Sequence, residues 1–425
     1  MQDELRHPTE ILEKDIDKFY QEIESLLYTL PIFMVLTDSL KYAKYNKYIE
    51  YMEENALGKE IVEDKTSYTI DIEHQARTNK LNQEHENFVN AYKFIPRHYL
   101  ISMVSHFDSL LCRIIRFIFT VNPEIFNASE KTFSYSDIIQ FQNISSVKEY
   151  WIEKEIESII RKSHSDQFEW LKQKLGTPFN KDLECWPVFI ELTERRNLFV
   201  HTDGKVTSQY LSVCRQHDCV LPLELKVGDQ LDVSKDYFEK SFRCICEIGF
   251  KLAHVIWRRL CSDQLAKADT HIMVFTVDII NKEMYELAIA ILEFFTRKEI
   301  KFHNEAARRT MIINKAQAYK WKEDELKCIE ILEEEDWTLV DDKFKLAIAA
   351  LREEYNTCYS IMRRVKNDTE FHKSYFKDWP IFKTLRLKPE FNSEYLECYG
   401  EEFAHGQFTD KLEISISSKD SEDTG

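Results

Sequence analysis

Glycine is scarce in this sequence, with only 8 in 425 residues, whereas average usage would give roughly 30. Phosphate-binding loops and dinucleotide-binding turns depend on glycine because their backbone adopts positive φ. Neither G-x-G-x-x-G nor G-x-x-x-x-G-K-[ST] occurs in the chain. The composition therefore argues against nucleotide chemistry of these two kinds and against a β-sandwich with many tight turns.

Other features are absent as well. No apolar leader follows Met1, and the longest apolar run is 30–36, so we expect a cytoplasmic protein with no membrane association. The ten cysteines include no C-x-x-C pair, which favours reduced thiols. The net charge of −17 is divided into −9 before residue 271 and −8 after it. No whole domain is basic, so any nucleic-acid contact requires a local patch.

Apolar residues recur at helical spacing along most of the chain, which predicts an all-α protein. One alternating piece at 66–72, within a polar stretch at 60–83, fits a strand or an extended arm. We predict helices at 9–30, 38–57, 97–119, 148–164, 166–175, 187–202 and 234–261.

The stretch 262–275 breaks the apolar pattern and predicts a domain boundary. Beyond it, LAIAIL at 287–292 resembles LAIAAL at 346–351, and small residues recur in a helix at 311–321 between them. Such a pattern is typical of tetratricopeptide-like helical hairpins. We therefore divide the chain into an N-terminal helical extension packing on the bundle (1–92), a helical bundle (93–265), a tetratricopeptide-like region (276–410) and a disordered tail (411–425).

The predicted helix 187–202 combines an apolar face with reactive side chains. Arg196 falls on the apolar stripe, yet a guanidinium keeps its charge and has to be paired or to lie in a cleft. Asn197 and His201 lie one turn apart on an adjacent face. Asp203 and Gly204 then predict the helix end, which places His201 in the last turn, where the helix dipole favours imidazolium.

An arginine beside a titrating histidine suits the cleavage of RNA. The Arg196 guanidinium can hold two phosphate oxygens and stabilise the charge that grows on them. His201 can move a proton to or from the 2′-hydroxyl or the leaving 5′-oxygen. This scheme needs no metal and no cofactor.

The string Arg196-Asn197-x-x-x-His201, late in a unit of four to five helices, resembles the Arg-x(4–6)-His motif of HEPN domains. The resemblance covers about 95–262 and includes Gly-Asp-Gln-Leu at 228–231 before the last helix. It implies a HEPN-like helical bundle with metal-independent endoribonuclease activity on single-stranded RNA. The catalytic residues would be Arg196, His201 and Asn197, in a homodimer whose two motifs line one cleft. It also implies a toxin or antiviral-defence effector.

A second function stays open, a non-catalytic dimeric scaffold that binds a partner protein or a nucleotide, because some HEPN members are inactive. Asp203 stands where HEPN toxins paired with nucleotidyltransferases carry a tyrosine, which weakens that version of the resemblance. We expect a regulatory protein or a nucleotide ligand at the repeats. For the dimer contact we expect the strongly apolar helix 97–119.

Three arginines have weaker candidate roles in RNA binding: Arg195 in the motif helix, and Arg113 and Arg116 on helix 97–119. Arg297 and His303 repeat the bare motif spacing without its helical context. The basic stretch 297–322 precedes eight acidic residues in 323–336, which fits either paired faces of adjacent helices or a bound nucleotide or RNA.

A zinc site is the remaining alternative. Cys214, His217 and Cys219 lie within six residues, with Cys185 as a fourth candidate. Their spacing is poor for tetrahedral zinc, so we expect buried thiols and a loop histidine, and no metal.

Overall fold

The computed structural model describes residues 7–63, 65–127, 141, 143–177, 179, 183–368 and 371–403; the predicted tail 411–425 lies outside them. Over these described residues the protein is all-α apart from one two-stranded hairpin, which confirms the predicted class. Helices α1 to α8 are Pro8–Asn55, Ile72–Val121, Glu124–Asn127, Ile144–Ile160, His164–Leu175, Trp186–His201, Ser208–Gln216 and Lys235–Leu260. Helices α9 to α17 are Leu265–Asn281, Tyr285–Phe295, Glu305–Trp321, Glu325–Glu333, Asp342–Leu351, Tyr355–Val365, Tyr375–Asp378, Lys383–Arg386 and Pro389–Tyr399, and 3₁₀ turns lie at Ser262–Gln264 and Pro380–Phe382.

The chain forms two compact units, Met1–Ala268 and Asp269–Gly425. The division falls within the stretch 262–275, where the apolar pattern breaks. Residues 92 and 93, between which we placed the end of the N-terminal extension, lie inside the continuous helix α2.

The first unit begins with two long antiparallel helices joined by a β-hairpin. The two helices predicted at 9–30 and 38–57 are one helix, α1, and α2 begins 25 residues earlier than predicted, at Ile72. Both continue through an internal proline, Pro31 and Pro96, because packing between the two helices outweighs the hydrogen bond that each proline removes. Strands β1 (Ala56–Val62) and β2 (Lys65–Ile70) pair antiparallel, where the sequence predicted the end of a helix at 57 and a strand or an extended arm at 66–72.

The core of this unit lies between the first half of α1, the second half of α2 and α8. Close approach occurs at Gly249 of α8, where an added Cβ would lie 2.6 Å from the Phe19 ring and 3.1 Å from Leu110 Cδ2. The apolar residues predicted along 97–119 are the centre of this core, and Leu100, Leu110 and Ile118 are fully buried.

Beyond Leu30, α1 leaves this core. Between Pro31 and Asn55 only Thr37 and Met52 are buried, and before Pro96 α2 buries only Leu81, among the residues described there. We call residues 31–95 the arm. By length and composition α1 could cross a membrane, since an 18-residue window has a mean hydropathy of 1.3 and only 17% of it is buried. The uninterrupted apolar run within this window, 30–36, is too short to span a bilayer by itself.

The second unit begins within α9 and contains three helix pairs, α9–α10, α11–α12 and α13–α14, each joined by a three-residue turn. The turns repeat one another closely. In each, a glutamate adopts the left-handed conformation (Glu283, Glu323 and Glu353, φ 61°, 68° and 59°). The next backbone N–H then donates to a carbonyl five residues earlier, from Met284 to Ile279, Asp324 to Tyr319 and Glu354 to Ala349.

The sequence match at an offset of 59 residues does not follow this repeat. LAIAIL lies in α10, the second helix of the first pair, whereas LAIAAL lies in α13, the first helix of the third pair. The two segments are alike because both are buried on most sides, not because they occupy equivalent places.

Candidate functional site

Helix α6 carries the motif and ends at His201, one residue before the predicted end, so His201 lies in its last turn as predicted. Asp203 and Gly204 follow with positive φ of 53° and 81°. Glycine is required at 204, because a Cβ there would lie 2.6 Å from Gln230 Nε2 and 2.9 Å from the Leu231 carbonyl oxygen. The chain therefore turns sharply just beyond the histidine.

Arg97 of α2 fixes this turn. It is only 8% exposed, and it donates from Nη1 to Asp203 Oδ1 at 3.0 Å and from Nη2 to Asp232 Oδ1 at 2.5 Å. Gln230 adds a bond from its Nε2 to the Asp203 carbonyl oxygen at 2.7 Å. Gln230 and Asp232, in the segment before α8, thus hold the end of α6 in place. No sequence pattern predicted this role.

Arg196 is held by two side chains. Its Nη2 donates to Asp108 Oδ2 of α2 at 3.0 Å, and its Nη1 donates to Asn197 Oδ1 at 3.1 Å. The other oxygen of Asp108 lies 2.9 Å from His164 Nε2, at the start of α5. Asp108 therefore links the motif arginine to a histidine that sequence spacing had not connected with it.

The Arg196 guanidinium keeps donors for a ligand. Its Nε is buried and has no hydrogen-bond partner among the described residues. A guanidinium has five N–H bonds, and the contacts to Asp108 and Asn197 use one on each terminal nitrogen. One N–H remains on Nη1 and one on Nη2, and the side chain is 23% exposed. Guanidinium N–H bonds of this kind can donate to phosphate oxygens.

Glu194 completes the group on this side of α6. Burial raises the pKa of its carboxyl, while the charge of His164 and a hydrogen bond from Asn197 act in the opposite direction. The Asn197 amide thus accepts from Arg196 and contacts Glu194, so it orients both. A carboxyl with a raised pKa beside an arginine and a histidine is a common feature of functional sites.

His201 lies apart from this group. It is exposed in the last turn of α6, and among the described residues it has neither a hydrogen bond nor an ion pair. Asn197 lies one helical turn before it, on the same side of the helix. The motif histidine is therefore open to a substrate, and the motif arginine is partly so.

Below the motif, a buried carboxylate anchors α6. Glu191 is 6% exposed and accepts hydrogen bonds from the hydroxyls of Tyr210 at 2.6 Å and Tyr237 at 2.7 Å. Burial and the Glu191 charge raise the pKa of both tyrosines, so both remain donors. Arg195 also donates to Glu191, at 2.7 Å, and its guanidinium lies over the Tyr237 ring.

The arginines with weaker candidate roles in RNA binding all have carboxylate partners within the chain. Arg195 bonds Glu191, as just described, and Arg113 contacts Asp15 at 3.3 Å. Arg116 pairs with Glu149. These three arginines therefore have partners within the chain, as Arg196 does, and their role in RNA binding stays a prediction.

The expected dimer contact through helix 97–119 is wrong. Its apolar face lies inside the first unit, and Leu110, Leu111, Ile114 and Ile118 are 0% exposed. A strongly amphipathic helix predicts a buried face, but periodicity alone does not say whether the same chain or a second copy covers it.

The candidate zinc ligands Cys214, His217 and Cys219 do not form a metal site in this structure. Among the described residues no group of three His, Cys, Asp or Glu is placed to hold a metal ion. Cys214 is buried, and the Cys219 thiol donates to the Pro187 carbonyl oxygen at 3.1 Å. A hydrogen bond from Cys214 lowers the pKa of Cys219, and His217 bonds Ser165 at 3.0 Å. All ten cysteines are free thiols.

In the second unit, much of the basic stretch 297–322 is paired with acids. Arg308 bonds Glu335 at 2.5 Å, and Lys322 lies 3.6 Å from Glu286. Lys320 is 7% exposed, and its Nζ donates to the Leu351 carbonyl oxygen at 2.6 Å and to Glu353 at 2.9 Å. This arrangement agrees with charged faces that pair across adjacent helices.

No family model matches this chain, and no curated protein or solved structure matches it either. The resemblance to HEPN domains therefore depends on the motif of α6 and on its surroundings. Arg196, Asn197 and His201 lie on one helix, as the motif requires. Asp108, His164 and Glu194 join them only through tertiary contacts.

Proposed function

We propose that this protein is a metal-independent endoribonuclease that cleaves single-stranded RNA at α6. The observation that carries the proposal is the state of the motif: Arg196 is oriented by Asp108 and Asn197 with one N–H bond left on each terminal nitrogen, and His201 is exposed beyond it. The resemblance to HEPN domains supports the same reaction. A cytoplasmic role as a toxin or antiviral-defence effector, regulated through the helical pairs of the second unit, follows from that resemblance.

In the proposed reaction, the 2′-hydroxyl loses its proton and its oxygen attacks the neighbouring phosphorus. The bond from phosphorus to the 5′-oxygen breaks, and that oxygen takes up a proton. The products are a 2′,3′-cyclic phosphate and a 5′-hydroxyl. Arg196 stabilises the charge on the phosphate oxygens, and His201 transfers a proton. In a homodimer, a second His201 would serve the second proton transfer.

One observation favours the alternative, a non-catalytic scaffold that binds a partner protein or a nucleotide. Arg196 is already paired with Asp108 at 3.0 Å, so it binds a phosphate less strongly than a free guanidinium would. The pair would then only hold α6 on α2. The two functions differ in one result, the cleavage of RNA by folded protein.

The test is cleavage of a labelled single-stranded RNA in EDTA by the full chain. We expect cyclic phosphate ends. His201→Ala should lower the rate by about 10²–10⁴-fold, the usual contribution of a general acid–base group, and Arg196→Ala should also lower it strongly because charge stabilisation is lost.

His372→Ala and Arg297→Ala serve as matched controls, since both residues lie in the second unit, and both variants should cleave like the parent. Full activity of the two motif variants, or cleavage only with added divalent metal, would contradict the mechanism. A folded parent chain without any cleavage would favour the scaffold.

A further inference from the structure

One side of α1 exposes seven large apolar side chains, and an eighth, Tyr45, lies beside them, all within 18 residues. Their exposed fractions run from 37% to 69%. We call this surface the α1 stripe; it consists of Tyr28, Ile32, Phe33, Val35, Leu36, Leu40, Tyr42 and Tyr45.

The stripe is continuous and uncharged. At 100° per residue, every member except Tyr45 falls within an arc of about 180°. Asp38 and Lys41, the charged residues in the middle of this segment, lie outside the arc and pair with each other at 2.6 Å. A helix of a monomeric protein normally places polar residues on such a face.

The area of the stripe is large for a free surface. From the exposed fractions, the eight side chains present roughly 900 Å² of accessible surface, whereas the largest apolar patch of a typical monomer is about 300–600 Å². A stable interface buries about 800 Å² on each partner. The stripe is therefore of the size that one protein–protein contact covers.

A membrane is a poorer occupant than a protein. The segment of α2 that packs beside the stripe carries Glu84, Glu86 and Lys93, so the two packed helices cannot enter a bilayer together. The chain's net charge of −17 opposes adsorption to an anionic membrane. Three of the eight residues are tyrosines, a type enriched in protein interfaces.

We propose that the α1 stripe binds the α1 stripe of a second copy, antiparallel, about a two-fold axis at Leu36. A two-fold contact joins the same patch on both subunits and so requires self-complementarity. With the axis at Leu36, Ile32 of one copy lies opposite Leu40 of the other. At the ends, Lys18 of one copy lies level with Glu54 of the other, and at 100° per residue both positions fall on the same side of α1 as Leu36. Within its own chain Lys18 lies 3.7 Å from Glu22.

This contact is independent of the proposed ribonuclease activity, because the stripe contains no residue of α6. Leu36→Glu in the full chain tests it. In the dimer two carboxylates would meet at the axis without water, so the dissociation constant should rise at least about 100-fold. The control is Leu223→Glu, at a fully exposed leucine in a loop of the same unit, which should leave it unchanged. Mass is measured by light scattering after size exclusion.

A charge exchange tests the antiparallel arrangement. Lys18→Glu should weaken the dimer about tenfold, and the pair Lys18→Glu with Glu54→Lys should restore it. Leu36→Glu is expected to keep the helicity of the parent, because the side chain is 52% exposed within one chain.

A parent chain that stays monomeric at 100 μM would overturn the proposal. Equal loss of dimer in Leu223→Glu would also do so, as would failure of the charge exchange to restore it. Binding of a monomeric parent to phosphatidylcholine or phosphatidylglycerol vesicles, lost in Leu36→Glu, would show that lipid covers the stripe instead.

Discussion

Asp108 orients the Arg196 guanidinium. A guanidinium on an apolar helix face needs a partner, and the carboxylate comes from α2, 88 residues away in the sequence. Because Asp108 also contacts His164 at 2.9 Å, three helices meet at one side chain. The aspartate is therefore a positioning residue for the motif.

We expect a strong energetic coupling between Asp108 and Arg196. In a double-mutant cycle of Asp108→Asn and Arg196→Ala, urea unfolding should give an interaction energy of about 1–3 kcal/mol, as for contacting residues in one network. Asp108→Asn combined with Arg297→Ala is the control, and those two changes should be additive. A coupling no larger than that of the control would mean that Asp108 does not position the arginine.

Glu194 should make stability depend on pH in the direction opposite to an ordinary ion-paired acid. Burial raises its pKa from 4.5, so the folded state binds the proton more tightly than the unfolded state. Below the unfolded pKa both states hold the proton, so Glu194 does not affect the free energy of unfolding. That free energy falls as pH rises from the unfolded pKa through the folded pKa, because the folded state gives up the proton less readily. Glu194→Gln should therefore stabilise the protein at pH 7, by less than about 1 kcal/mol for a partly exposed group.

At pH 4 the same substitution should have little effect. The measurement is the free energy of unfolding in urea at both pH values, with Glu224→Gln, in a loop of the same unit, as the control. A gain at pH 4 that equals or exceeds the gain at pH 7 would contradict the assigned cause.

At the scale of elements, the three turns of the second unit show how the chain manages with few glycines. The left-handed position after a helix is usually glycine, yet here it is glutamate three times, at 283, 323 and 353. A residue with a Cβ loses about 1–2 kcal/mol in this conformation. Packing between the paired helices must supply what the turns lose.

Glu323→Gly should stabilise the second unit. It removes the left-handed penalty, while the added flexibility of glycine takes back about 0.5–1 kcal/mol, so we expect a net gain of about 0.5–1 kcal/mol. Calorimetry of the full chain should show this as a higher melting temperature. Glu353→Gly is the informative comparison, because it also removes the partner of buried Lys320 and should gain less. A loss of stability in Glu323→Gly would show that the glutamate itself makes a needed contact.

How well the sequence predicts an element depends on whether the signals for that element are local. Helix α6 was placed almost correctly, because its apolar spacing and the Asp203–Gly204 stop are both local signals. Helix α1 was divided in two because Pro31 reads locally as a breaker, whereas its packing against α2 is tertiary. The contacts of Asp108 and His164 with Arg196 could not be predicted, since no periodic pattern connects residues so far apart in the chain.

At the scale of the whole molecule, charge and burial alter how the surface is interpreted. The basic stretch 297–322 suggested a ligand, but the structure sets Arg308 against Glu335 and Lys322 against Glu286. The apolar helix 97–119 suggested a dimer face, but it is the core of its own unit. The exposed apolar surface lies on α1 instead. Polar residues on both sides limit its uninterrupted apolar run to 30–36, so run length alone does not indicate the surface.

The two prolines of the long helices have a consequence of their own. The contacts of Glu22 with His106 and of Lys44 with Glu84 fix the register of the pair, and in that register Pro31 and Pro96 lie at the same level. Each proline deprives a carbonyl one turn earlier of its hydrogen bond, so both helices are interrupted together. Local opening in proteins follows such cooperative segments. The arm can therefore bend as one segment while the helices that pack around Gly249 keep their contacts. The two prolines thus form a hinge within continuous helices.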